Sequence, residues 1–262
     1  MNKILLAKML RDLNLSIHSG KSQDVLNYHM NHIELVRKYM IEISKRLNVK
    51  LDNNTASVIA YGHDLLKERG IANEQENLLA PYESVSTDPA RYVRTNLEIL
   101  EKFGMDEYFN SDCQYHALAS GIFLNKELGV EDANIVYPVM FHSCPVMDVY
   151  DTLPSYTKQL IDITLLSDKL SSNWLRINTQ DKEVCIDLDL LVFGETGWEF
   201  NYLYGLYVAR LIASKKNSGD HSKEATKYYF DRLKQTNPLI DEKVELGDKQ
   251  TWPKRKQRFK MQ

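Results

Sequence analysis

Apolar residues recur along this chain at intervals of three and four for most of its length, and alternate in twos in only one short stretch, which predicts a bundle of helices. Residues 3 to 14 form the first amphipathic segment, with Ile4, Leu5, Met9 and Leu13 available to one side, and Ser19-Gly20-Lys21-Ser22 interrupts it. A longer helix from Asp24 to Asn48, capped by Ser22 or Asp24, brings Val25, Tyr28, His29, His32, Val36, Tyr39, Ile43 and Leu47 to its inner face. Asp52-Asn53-Asn54 offers caps for a third, in which Ala56, Ile59, Ala60 and His63 lead towards Leu66 before a break near Gly70. The polar stretch 70 to 88 predicts a long loop or lid. Asp88-Pro89 then starts a helix that buries Val93, Leu97 and Leu100 and ends at Gly104.

Helical spacing resumes over 106 to 128, around His116 and closing at Gly129, and over Glu131 to His142, where Pro138 predicts a bend or break. Leu153-Pro154-Ser155 opens a helix on which Leu160, Thr164 and Asp168 lie one turn apart, so a carboxylate faces inward and needs a partner. Residues 183 to 192 alternate and suggest a short strand or hairpin edge, and Glu195-Thr196-Gly197 reads as a turn. Helical spacing then returns from Trp198 to Lys216, through Tyr202, Gly205, Val208 and Ile212. A last helix follows Gly219-Asp220, with Ala225, Tyr228, Tyr229 and Leu233 inside, and stops before Pro238. The fold class expected is all-α, as a single domain over 1 to 247 followed by a basic tail over 248 to 262.

Composition narrows the function more than the fold. With 262 residues, 43% of them hydrophobic, the chain can bury a full core, and a net charge of -3 disfavours a general affinity for nucleic acid. The tail, with basic residues from Lys249 to Lys260 and Trp252 and Phe259 among them, is the one local hint of such binding. Three cysteines without a Cys-x-x-Cys pair suggest neither a disulfide framework nor a thiolate zinc site, which fits the cytoplasm. No membrane span is expected, because no uncharged apolar run reaches about 18 residues. Lys21-Ser22 lacks the glycine spacing of a phosphate loop.

The candidate chemistry centres on Tyr61-Gly62-His63-Asp64-Leu65-Leu66-Lys67. A His-Asp pair alone is more often a cap than a ligand pair. Here His32, His63, Asp64 and Asp168 sit near the ends of helical runs, and together would hold a divalent transition metal; His116 and His142 could hold a second ion. A carboxylate such as Asp64 can bridge two ions.

The order His32, His63-Asp64, Asp168 resembles the HD-domain superfamily of metal-dependent phosphohydrolases. The segments His32 to Val36, Lys45 to Asn48, His63 to Lys67, His116 with Glu127 to Asp132, Phe141-His142-Ser143, Leu166 to Lys169 and His221 to Tyr229 are similar to the bacterial symmetrical diadenosine tetraphosphate hydrolases, the YqeK-like branch. This resemblance covers about residues 25 to 235, with an insertion at about 70 to 105.

The resemblance implies an orthogonal HD helix bundle with two metal ions, iron by preference and manganese or zinc as alternatives. His32, His63, Asp64 and Asp168 would bind one ion and His116 and His142 the other, with Asp64 bridging. Asp64, Lys67 and Asp168 would be catalytic, and Lys67, His29, Ser143 and His221 would contact substrate. The implied reaction is hydrolysis of a nucleotide phosphoanhydride, with diadenosine tetraphosphate cleaved symmetrically to ADP as leading case. The alternatives are an HD-domain nucleotidase, a nucleoside triphosphohydrolase and a non-catalytic nucleotide sensor; a homodimer is compatible with any of them. His29 stands where these relatives often carry arginine, Ala117 where they carry glycine, and Ser143-Cys144-Pro145 replaces a glycine-containing continuation, differences that bear on which nucleotide fits.

Overall fold

The computed structural model describes residues 2–17, 22–65, 115–143, 145–178, 192–193, 197–216 and 220–238. Among these it is all-helical: α1 (Lys3–Ile17), α2 (Gln23–Arg46), α3 (Asn53–His63), α4 (Tyr115–Lys126), α5 (Ala133–Phe141), α6 (Met147–Thr152), α7 (Ser155–Asn178), α8 (Trp198–Lys216) and α9 (Asp220–Thr236). The loop at 70 to 88, the helix beginning at Pro89, residues 106 to 114 and the basic tail lie outside the described residues. So do 183 to 191 of the expected strand; Val192, the end of that stretch, is helical and fully buried rather than extended. None of the helices among the described residues is long and apolar enough to cross a membrane.

Local chemistry accounts for the helix starts. Ser22 caps α2 by accepting from the Val25 N–H, Asp52 caps α3 by accepting from Asn54 and Thr55, and Asp132 caps α5 by accepting from Asn134. Lys3 ties two of these ends together, donating to Thr55 Oγ1 at 2.9 Å and pairing with Asp132 Oδ2 at 3.4 Å. Pro154 precedes α7, where its missing N–H costs nothing. Gly129, at φ 63, adopts the left-handed conformation just beyond α4.

Helix α3 lies at the middle, against α1, α2, α4 and α5, while α7 packs on α2, α5 and α8, and α8 carries α9. One apolar cluster joins them, from Leu6 and Leu10 of α1 to Leu233 of α9. Helix α4 crosses α5 closely: a Cβ at Gly121 would stand 2.0 Å from Met140 Cγ and 3.1 Å from the Met140 backbone nitrogen.

Several expectations need correcting. On α1 the buried residues are Leu6, Leu10 and Asn14, and Ile4 and Leu5 face solvent, because the polar Asn14 is drawn inward by bonds to the Leu10 and Tyr61 carbonyls and sets the rotation of the helix. Val25 and Tyr28, in the first two turns of α2, are exposed, and Tyr228 is half-buried. Helix α5 continues through Pro138, since Ile135, Val136, Val139, Met140 and Phe141 are buried around it and that packing outweighs one missing N–H bond. Helix α6, six residues long, is too short to show a period in the sequence. Helix α3 ends at His63, short of the break expected near Gly70.

Candidate metal centre

The early end of α3 is what makes an adjacent His-Asp pair useful. Consecutive residues inside a helix point about 100° apart and do not share a target. At Asp64 the backbone leaves the helix, with φ -108 and ψ 17, and its N–H turns back to the Gly62 carbonyl, so His63 and Asp64 reach the same place from opposite sides of a turn. Gly62 lets that end sit deep, because a Cβ there would stand 2.9 Å from Leu124 Cδ1 and 3.3 Å from Val139 Cγ2. His32 enters from the middle of α2, Asp168 from α7, and His142 from the C-cap position of α5.

These side chains are all buried and converge. His32 Nε2 lies 3.1 Å from His63 Nε2, 3.2 Å from Asp64 Oδ2 and 3.3 Å from Asp168 Oδ1. His63 Nε2 lies 3.5 Å from Asp64 Oδ2 and 3.9 Å from Asp168 Oδ1. One donor atom from each of His32, His63, Asp64 and Asp168 can be chosen so that all four fall within 4.8 Å of one another. Donors bound about 2.0–2.2 Å from one ion, at angles of about 90–110°, stand roughly 2.8–3.6 Å apart, so most of these separations already match a shared ion. Two imidazole nitrogens and two carboxylate oxygens suit a borderline divalent ion such as iron, manganese or zinc.

The other oxygen of Asp64 faces elsewhere. Its Oδ1 lies 3.3 Å from His142 Nε2, whose ring meets that of His63 edge-on at 4.9 Å. One carboxylate thus stands between two sets of imidazoles, the disposition a bridging ligand needs.

Hydrogen bonds on the far side of each ring fix its direction. His63 Nδ1–H donates to the Ala60 carbonyl at 2.6 Å and His142 Nδ1–H to the Val139 carbonyl at 2.7 Å, which leaves both Nε2 lone pairs pointing inward. Burial, reinforced by His142 and His32, pushes the His63 imidazole down to about 3 despite Asp64. For His32, burial opposes the charge, but the hydrogen bonds and charges of Asp168 and Asp64 outweigh it and hold the imidazole above its ordinary 6.5. Protonation of His32 is thus favoured by the same two carboxylates that would surround a cation.

Five of the six ligands expected from sequence can be located with their side chains: His32, His63, Asp64 and Asp168 form one group, with His142 against its edge. His116 belongs to the first turn of α4 and His221 to that of α9, and both side chains lie outside the described residues, as does the whole of Lys67. His29 is on the buried face of α2, where its Nε2 meets Asn14 Oδ1 at 2.9 Å. Ser143 follows His142, and its carbonyl accepts from the buried Arg210 of α8.

Three neighbours of the centre went unassigned at the sequence level. Lys169 pairs with Asp168 Oδ2 at 2.5 Å, Ser171 meets His32 Nδ1, and Arg210 braces the loop after His142. The first two follow Asp168 by one and three positions, and that proximity was the only available signal. Comparison with protein-family models, with curated proteins and with solved structures returns no match.

Proposed function

We propose that the chain is a metal-dependent phosphohydrolase of HD type, cleaving a phosphoanhydride in a nucleotide, with symmetrical hydrolysis of diadenosine tetraphosphate to ADP as the leading case. The observation that carries this reading is the Asp64 carboxylate, with Oδ2 towards His32 and His63 and Oδ1 towards His142. That arrangement fits two neighbouring ions, one held by His32, His63, Asp64 and Asp168 and the other by His142, Asp64 and His116. Such a pair supplies an acidified water and a charge clamp on the attacking and leaving oxygens of an in-line displacement at phosphorus.

The chain's own residues supply direction and charge. Tied to backbone carbonyls, His63 and His142 keep the same tautomer and cannot swing away. Lys169 reaches from the buried Asp168 towards solvent, with 23% of its side chain exposed against 2% for Asp168, and is a cation available to an arriving phosphate. Lys67 is proposed for a second phosphate contact, on resemblance alone.

Metal content and product analysis test the reading together. The purified protein, prepared under reducing conditions with iron, is expected to carry two metal equivalents and to release ADP alone from diadenosine tetraphosphate within a panel that includes nucleoside mono- and triphosphates. Two equivalents with a different product would move the substrate and keep the chemistry. Protein that takes up no metal and turns over no member of the panel would end the proposal.

A further inference from the structure

The three histidines of the candidate centre, His32, His63 and His142, solve one problem in two ways. An imidazole that is to offer Nε2 must carry its proton on Nδ1, and that N–H needs an acceptor. His63 ends α3 and His142 caps α5, so each finds a carbonyl three residues back, in a last turn whose carbonyls are not all used by the helix. His32 has no such resource. It lies in the middle of the 24-residue α2, where the preceding carbonyls are engaged in helix hydrogen bonds. An acceptor must come from another element.

We propose that Ser171 of α7 is that acceptor and is the positioning residue of the centre, fixing the ring of His32 with Nε2 turned inward. Its Oγ is buried, meets His32 Nδ1, and lies 3.4 Å from the His32 carbonyl oxygen. One hydroxyl can thus accept from the ring and donate to the backbone of the same residue. The hydroxyls of Ser44, Ser57 and Thr164, by contrast, each donate to a carbonyl three or four residues back in their own helix. Ser171 forgoes that bond and crosses to α2. Three positions after Asp168, it lies on the same side of α7, so one helix face delivers both a carboxylate and the group that aims the imidazole beside it.

The inference rests on the metal-binding reading of His32, His63, Asp64 and Asp168, and the test separates the two. The affinity of the metal-free protein for Zn2+ is measured by competition with a chromophoric chelator, for wild type, Ser171→Ala, Ser171→Cys, Ser171→Thr and Asp64→Ala. Ser171→Ala is expected to bind roughly 10- to 100-fold more weakly. Ser171→Cys, close in size but a poor acceptor, is expected to weaken binding as well, whereas Ser171→Thr keeps the hydroxyl and restores affinity to near wild type. Nitrogen NMR of the zinc-loaded wild type is expected to show His32 protonated at Nδ1. If Ser171 only held α2 against α7, its replacement would lower the unfolding temperature of the metal-free protein and leave the affinity of folded molecules unchanged. Wild-type affinity in both Ser171→Ala and Ser171→Cys overturns the inference alone. No zinc bound by wild type, or equal binding by Asp64→Ala, overturns the metal centre and the inference with it.

Discussion

Asp64→Asn separates the structural role of Asp64 from the proposed one as a metal ligand. In the metal-free protein the change is mild. An amide keeps the shape, its oxygen can still accept from His32 Nε2, and its NH2 can donate to His142 Nε2, which is an acceptor because its Nδ1–H is committed to the Val139 carbonyl. The expected loss of metal-free stability is under about 1 kcal/mol. For an ion the change is severe, since the site loses a negative charge and one of two oxygens that can ligate. Site energies of about 10–16 kcal/mol spread over four ligands give about 2.5–4 kcal/mol for one, or roughly 10²- to 10³-fold in affinity. Zn2+ at about 1,000 times the wild-type Kd stabilises the wild type by about 4 kcal/mol, and at the same concentration stabilises the variant by only about 0.4–1.4 kcal/mol. In a chain of this length that is a rise in Tm of about 8–16 °C for wild type and of about 1–6 °C for the variant. Thermal unfolding with and without Zn2+ reads both numbers. Equal zinc-induced shifts in the two proteins would refute the reasoning, because a carboxylate that bridges cannot be replaced by an amide without loss.

Three further outcomes follow from the same contacts. Because the His32 pKa is raised on folding, its proton stabilises the metal-free protein fully below pH 6.5, a contribution lost as pH rises through the folded value; an ion must displace that proton, so Zn2+ affinity falls about tenfold per pH unit below the folded value and levels off above it. His63, at about 3, adds no second proton to that slope, and a slope of two in log affinity against pH would contradict the assignment. Asp162→Ala strands the hydroxyls of Tyr150 and Tyr229 and the guanidinium of Arg232, which donate to it at 2.9, 2.7 and 2.7 Å, and is expected to cost about 3–5 kcal/mol in urea unfolding at unchanged m; a loss under about 1 kcal/mol would show the network to be dispensable. Gly121→Ala drives a methyl into Met140 and is expected to cost about 1–3 kcal/mol, with the far-UV spectrum unchanged.

How far the fold could be read from the sequence depended on what decides each helix. Where helical spacing runs unbroken between clear start and stop signals, it was enough: Trp198–Lys216 and Asp220–Thr236 begin and end as the pattern indicates, and Leu160, Thr164 and Asp168 are all buried on α7. Where a polar residue sets the rotation, spacing misled. Asn14 is the case on α1, since a buried amide bonded to Leu10, Tyr61 and His29 cannot be told from a solvated one by its neighbours in sequence. Asp162 was missed for the same reason: its partners Tyr150, Tyr229 and Arg232 are 12, 67 and 70 residues away.

The centre divides along a similar line. Ligand candidates were legible because histidine and aspartate on a buried helix face are costly without partners, so their chemistry shows through the pattern. The groups that aim them were not, because a backbone carbonyl carries no sequence signal and a serine in a helix usually serves its own backbone. Which kind of group aims a given histidine is nonetheless decided by a feature the sequence does display, the position of that histidine in its helix. At a helix end the backbone supplies the acceptor, as it does for His63 and His142; at mid-helix a side chain must, and it has to come from whichever helix packs opposite. On α7 the inward-facing Asp168 already marked the face that meets α2, and the residue three positions on was the place to look.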